Sequence, residues 1–329
     1  MKIHLHIGTH KTGTTSIQHF ADRHAALLLE HGVFWPDPRR LDKLARQHSR
    51  LWRFLQQGKQ AEVSAFLAQA VKDAGAAGVS GMLLSGEGFS HATEDEIAQL
   101  LAPLAGHDVE VSVYFRNVYG YARSAFLQHL KYRDRRPPVS MLYSAIRENL
   151  DYDALLARWR KFVPENAIDV RSYEREKAGL VSAFFTRLGL PEDVVRLNLA
   201  DESNRSIDPA LQILLAALES DNSGGDFRRT RDAYFGAFGG VNMNAPLISD
   251  LVSALCDGAS DGLTDPLLAE YRDELLAPPA AAKHMTLLEQ ARYFTSLARF
   301  SRSMARRKRF EASALFPAWQ WLKHRLRRR

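Results

Sequence analysis

The sequence predicts an α/β fold: a mainly parallel central sheet flanked by helices, followed by a helical C-terminal part. Three observations carry this. Short apolar runs of β character are separated by helical stretches that can serve as crossovers, which makes successive strands parallel and covers both faces of the sheet. With 46% hydrophobic and 25% charged residues in 329, the chain can bury a sizeable core. From about residue 209 onward the pattern is mostly helical.

Residues 2–7 alternate and are rich in Ile and Leu, as a short buried strand requires. Gly8 to Thr15 form a Gly/Thr loop, and Ile17, Phe20, Ala21, His24, Leu27 and Leu28 then recur at helical spacing. Gly32 and Pro36-Asp37-Pro38 end that unit. Helices are expected near 42–57 and 60–74, a second strand at 81–85 leading into Gly86-Glu87-Gly88, and a helix over 94–104. A third strand at 109–115 runs into a helix over 118–132, and a fourth at 167–171 is followed by a helix at 177–188. In such sheets ligands bind beyond the carboxyl ends of the strands, where three loops contain Lys11, Glu87 and Arg116. The stretch 221–226 (Asp-Asn-Ser-Gly-Gly-Asp) reads as a mobile loop.

Composition excludes several classes. One cysteine, Cys256, allows no intrachain disulfide and argues against a thiolate metal cluster. No window approaches 18 uncharged apolar residues, and the N-terminal run is too short for a secretory leader, so a cytoplasmic protein is expected. The +6 net charge is uneven: 299–329 holds eleven Lys or Arg against one acid, Glu311, which leaves 33 bases and 37 acids elsewhere. Basicity therefore belongs to the tail, and nucleic-acid binding by the whole chain is not expected. The chain divides into an α/β domain over 1–298 and a basic, aromatic-containing segment over 299–329. That segment mixes Arg306-Arg307-Lys308-Arg309 with Phe310, Phe316, Trp319 and Trp321, which suits peripheral contact with the inner face of a membrane. A packed helix with a solvated basic end is the competing reading.

The most informative segment is Gly8-Thr9-His10-Lys11-Thr12-Gly13-Thr14-Thr15. A glycine-rich turn from strand to helix aims backbone N–H groups at the positive end of the helix dipole, which attracts a phosphate. Gly8 and Gly13 have the spacing of the nucleotide triphosphatase loop, but Thr14 stands where that pattern needs lysine, and the lysine lies at Lys11. No apolar run closing in the usual magnesium-binding aspartate accompanies it, so the loop suits a phosphate held without obligatory metal.

Ile7 to Gln18 closely resembles the 5′-phosphosulfate loop of sulfotransferases that use 3′-phosphoadenosine 5′-phosphosulfate (PAPS). Val113 to Ala125 is similar to that family's 3′-phosphate motif, with Arg116 closing a strand, Ser124 eight residues on, and Asn117 where many relatives have aspartate. Val170-Arg171-Ser172-Tyr173-Glu174 and Asn204-Arg205-Ser206 are weaker echoes, so the resemblance spans about 2–210. It implies a three-layer, P-loop-like fold and transfer of a sulfuryl group from PAPS, with PAP as product and no metal. Lys11 would meet the 5′-phosphate and bridging oxygen. His10, Thr12, Gly13, Thr14 and Thr15 would surround the 5′-phosphate, while Arg116 and Ser124 would hold the 3′-phosphate. Glu87 is the candidate base by analogy with branches acting on carbohydrates or proteins; otherwise it is a turn or cap residue. The acceptor is expected to be a hydroxyl or amine of a carbohydrate or lipid-linked intermediate. His10 reads either as a donor contact or as a solvated spacer, and His129 as packed. His4 and His6 share a strand face without metal-ligand spacing. A P-loop kinase or hydrolase, and a non-catalytic nucleotide-binding protein, are the alternatives.

Overall fold

The computed structural model describes residues 1–131, 139–199, 256 and 263–278. All but Leu130 and Lys131 belong to a compact unit made of Met1–His129, Pro137–Asn204 and Asp250–Pro279. The basic segment 299–329, the 221–226 loop, the Asn204-Arg205-Ser206 element, the helical reading from 209 and the side chain of His129 lie outside the described residues.

Five parallel strands form one sheet in the order β2-β3-β1-β4-β5. They are β1 (Lys2–His6), β2 (Val33–Phe34), β3 (Gly81–Ser85), β4 (Asp108–Phe115) and β5 (Ile168–Ser172). The strands expected from the sequence are all present, and β2 is an addition. It is two residues long because Trp35 leads directly into Pro36, which has no N–H to offer a ladder. The connections are α1 (Thr14–Arg23), α2 (Ala25–Glu30), α3 (Ser49–Gln56), α4 (Gln60–Ala76), α5 (Glu94–Leu101), α6 (Val118–Lys131), α7 (Val139–Leu150) and α8 (Tyr152–Arg160). After β5 come α9 (Tyr173–Glu176), α10 (Leu180–Arg187) and α11 (Glu192–Asn198).

Local chemistry sets these boundaries. Thr93 and Glu96 form a reciprocal capping box that starts α5, and the Asp151 carboxylate accepts the Ala154 N–H to start α8. The expected helix at 42–57 begins only at Ser49, after a short turn over Pro38–Arg40 capped by Asp37. One sheet face, through Leu83 and Tyr114, packs Ile17, Phe20 and Ala21 of α1 against Phe184 and Phe185 of α10. On the other face Ile3, Leu5, Met82, Leu84, Val111 and Val113 are fully buried as well. A sheet covered on both sides needs apolar residues at both strand parities, which is why these strands read as near-continuous apolar runs.

Ser85, the last residue of β3, ties the site end together. Its hydroxyl meets His6 Nδ1 at 2.8 Å and accepts from Gln18 Nε2 at 3.2 Å. Its N–H donates to His48 Nδ1 at 3.1 Å, and the His48 N–H returns a bond to its carbonyl at 2.7 Å. With Nδ1 accepting, His48 is the Nε2–H tautomer and donates to the Pro36 carbonyl at 2.9 Å. Burial pushes both His6 and His48 down to about 4. Both are neutral when folded and take up a proton on unfolding below their ordinary value near 6.5. Stability is therefore expected to fall as the pH drops from about 6.5 towards 4, by about 2 kcal/mol for each histidine at pH 5. Urea unfolding at pH 7.5 and pH 5 checks this, and equal stability at both would contradict it.

Candidate active site

Because every strand is parallel, the loops after β1, β3 and β4 emerge at one end of the sheet, with β1 between its two partners. The chain turns sharply there. Ile7 still bonds the Ser112 carbonyl at 3.0 Å, and Gly8 to Gly13 then fold back into α1. A Cβ on Gly8 would lie 2.3 Å from Thr14 Cγ2 and 3.0 Å from His6 Nε2, so only glycine lets the loop close on its own helix. Lys11 and Gly13 are both left-handed, at φ 70° and 73°. For lysine that conformation is strained, and such strain gathers where the surroundings over-determine a functional geometry.

Threonines hold the loop from within. Thr9 donates to the Tyr114 carbonyl at 2.7 Å, and Thr12, fully buried, donates to the Thr9 carbonyl at 2.6 Å. The Thr12 hydroxyl is thus committed inside the loop. Thr14 is buried in the first turn of α1, and its hydroxyl donates to the Glu87 carboxylate. Thr15 is exposed in the same turn.

Glu87 opens a short 3₁₀ turn, Glu87–His91, directly after β3. Besides Thr14, its carboxylate faces His10 Nδ1 at 2.8 Å. The His10 ring lies 5.0 Å from that of His91, which lies 5.8 Å from Trp52. Burial works to raise the Glu87 carboxyl, but the hydrogen bond of His10 (and its charge when the ring is protonated), the Thr14 hydroxyl and the Lys11 ammonium outweigh it, so Glu87 sits below its ordinary range and stays ionised. His91 is pushed down to about 4 by burial, by the His10 ring when that is protonated, and by the Arg158 charge. Burial and the Glu87 charge raise the Tyr121 phenol, keeping it protonated.

Arg116 closes the gap between the two sequence motifs. Its Nη1 donates to the Lys11 carbonyl at 2.8 Å, while its Nε lies 3.8 Å from Glu174 and is buried without a hydrogen-bond partner. The guanidinium rests on the Tyr173 ring, 5.1 Å from its centre, a cation–π contact. Tyr173 and Glu174 thus acquire a local role: ring under the fork, carboxylate beside it. Ser124 is half-buried in the second turn of α6.

Asn117, next to Arg116, ties the start of α6 to a returning segment. Its carbonyl oxygen accepts the Gly120 N–H at 3.0 Å, and its amide donates to the Glu274 and Ala277 carbonyls, each at 2.8 Å. Aspartate would cap the helix equally well but has no donor for the returning segment.

A cleft of about 290 Å³ adjoins the loop, lined by Thr9, His91, Thr93, Asn149, Asp151 and Arg158 among others. Arg158 donates to the Ser90 carbonyl at 3.0 Å, and its buried Nε has no hydrogen-bond partner. Two features were not legible in the sequence: the His10–Glu87 pair and the Tyr173 ring beneath Arg116. The strand-end loops themselves were visible, but which of them meet depends on strand order, which local periodicity does not encode.

The protein is therefore a parallel α/β protein whose strand–glycine loop–helix element joins a carboxylate, an imidazole and an arginine at the carboxyl edge of the sheet. No protein-family model matches the chain, and no curated protein matches it. Two solved structures are similar. One is a sulfotransferase from Alicyclobacillus acidocaldarius, 13% identical, with the match covering 66% of this chain and 91% of that one at a TM-score of 0.35. The other is the sulfotransferase domain of the olefin synthase from Synechococcus PCC 7002, 14% identical, covering 67% and 94% at a TM-score of 0.36. A likeness at this level fixes neither donor nor acceptor.

Proposed function

We propose that the protein transfers a sulfuryl group from PAPS to an acceptor hydroxyl or amine, without a metal. The observation that carries this reading is the 2.8 Å bond from Arg116 to the Lys11 carbonyl, which brings two motifs 105 residues apart together at one edge of the sheet. Three features fit the donor: a loop closed by Gly8, an orphaned buried Nε on Arg116, and an aromatic face at Tyr173. In this reading Thr15 and the N–H groups of the loop and of the first turn of α1 hold the 5′-phosphate. Arg116 and Ser124 hold the 3′-phosphate, where a planar fork and a short hydroxyl suit phosphate oxygens. Lys11 neutralises charge growing on the bridging oxygen, so catalysis rests chiefly on positioning and charge stabilisation. The Thr9–His91–Arg158 cleft admits the acceptor. Its polar lining of hydroxyl, amide, carboxylate and guanidinium groups supports a carbohydrate or lipid-linked intermediate.

Calorimetry of PAP, ADP and AMP without magnesium, on wild type and Arg116→Ala, tests the donor. PAP is expected to bind wild type about 100-fold more tightly than AMP, two charge-assisted hydrogen bonds' worth, and Arg116→Ala to erase that preference. Tighter binding of ADP than of PAP, with a requirement for magnesium, would replace this reading with a kinase or hydrolase.

A further inference from the structure

Glu87, the candidate base, has both carboxylate oxygens occupied. The Thr14 hydroxyl donates to one, and His10 Nδ1 stands 2.8 Å from the other. An ionised carboxylate only accepts, so His10 Nδ1 carries the proton of that bond, and in the neutral ring Nε2 keeps its lone pair. The ring is steadied from another side by His91, in turn against Trp52. The His10 side chain is 38% exposed, more than the 29% of Glu87, and it is bracketed by two residues that line the cleft: Thr9, its chain neighbour, and His91, its ring neighbour. Lys11 follows it directly, so the imidazole belongs to the same turn as the ammonium assigned to the leaving oxygen.

We infer that His10 Nε2, rather than Glu87, receives the acceptor's proton, and that Glu87 is a positioning residue that fixes the His10 tautomer and stabilises the imidazolium as it forms. The inference rests on the sulfuryl-transfer reading of this site. In the step, an acceptor oxygen or nitrogen forms a bond to sulfur while the bond from sulfur to the bridging oxygen breaks. The electron pair of the broken bond stays on that oxygen, which leaves as part of the PAP 5′-phosphate beside Lys11. The acceptor's proton moves to His10 Nε2 and then to solvent. With water as acceptor the same step gives sulfate and PAP.

Water is the probe: release of sulfate from PAPS is measured at enzyme excess on wild type, His10→Ala and Glu87→Gln, after PAP affinity is measured on each. PAP affinity is expected to change less than threefold in both variants. His10→Ala should slow sulfate release about 100-fold, with partial recovery in added imidazole, and Glu87→Gln should slow it about tenfold with no imidazole effect. Long-range ¹H–¹⁵N spectra supply a readout besides activity: the His10 ring of wild type is expected as the Nδ1–H tautomer, a preference lost in Glu87→Gln. Unchanged sulfate release in His10→Ala, or a wild type that binds PAP yet releases no sulfate above the spontaneous rate, overturns the assignment while leaving donor binding intact. Failure of the wild type to bind PAP overturns the sulfuryl-transfer reading, and this inference with it.

Discussion

Replacing Lys11 by alanine is expected to slow release of PAP from PAPS about a thousandfold, the scale on which loss of one preorganised donor to a developing anion is felt. The reason is differential. In PAPS the bridging oxygen carries little charge, and at the transition state it carries much more, so an ammonium beside it lowers the barrier rather than merely tightening binding. Affinity for PAPS should accordingly weaken by about tenfold or less. The left-handed backbone at Lys11 supplies a control. Lys11→Gly removes the same ammonium but relieves the strained φ, so it should be as slow as Lys11→Ala and more stable by about 1 kcal/mol. Normal turnover in either variant would remove Lys11 from the mechanism. Equal stability of the two would mean that the φ of 70° is not strained.

Gly13→Val is expected to destabilise the fold by about 4 kcal/mol, a fall in melting temperature on the order of 10 °C. Two costs combine. A β-branched residue at φ 73° is disfavoured by about 2 kcal/mol. Its Cβ would stand 2.3 Å from Leu180 Cδ2 at the start of α10, an overlap worth about 2 kcal/mol more. Truncating the neighbour separates them: in the Leu180→Ala background the penalty of Gly13→Val should shrink by about the second of these amounts. Thermal unfolding of the four chains measures both, and strictly additive effects would show that Leu180 is not what the new side chain meets.

Much of the sheet was legible because each strand is a short apolar run closed by a turn or helix signal, and Gly81–Ser85 matches its expectation residue for residue. Helix starts were harder. Asp42 and Lys43 look like a helical entry, yet the buried His48 and its bonds to Pro36 and Ser85 delay the helix until Ser49, a tertiary cause invisible to local pattern. Nor did local spacing reveal α7 and α8. They follow Arg133-Asp134-Arg135-Arg136-Pro137-Pro138, a run of charge and proline that reads as a break in structure and hides the helical period resuming behind it. In the site, the roles of Gly8 and Gly13 could be anticipated, since glycines at a strand–helix turn mark a bend that side chains would block. The pairing of His10 with Glu87 could not, because it depends on β1 and β3 being neighbours, a fact of strand order rather than of composition.

The guanidinium of Arg116 touches the backbone of Lys11, so the residue assigned to the far phosphate also shapes the turn that presents the reactive lysine. Under the proposed transfer from PAPS, donor choice and chemical competence are then one trait. A lineage of this chain could not drift towards donors without a 3′-phosphate by changing residue 116 alone, because the same change would slacken the turn. In that reading some other side chain would first have to take over the Lys11 carbonyl, which would make the donor preference slow to evolve even where the proposed acceptor cleft, walled by separate helices, is free to diverge.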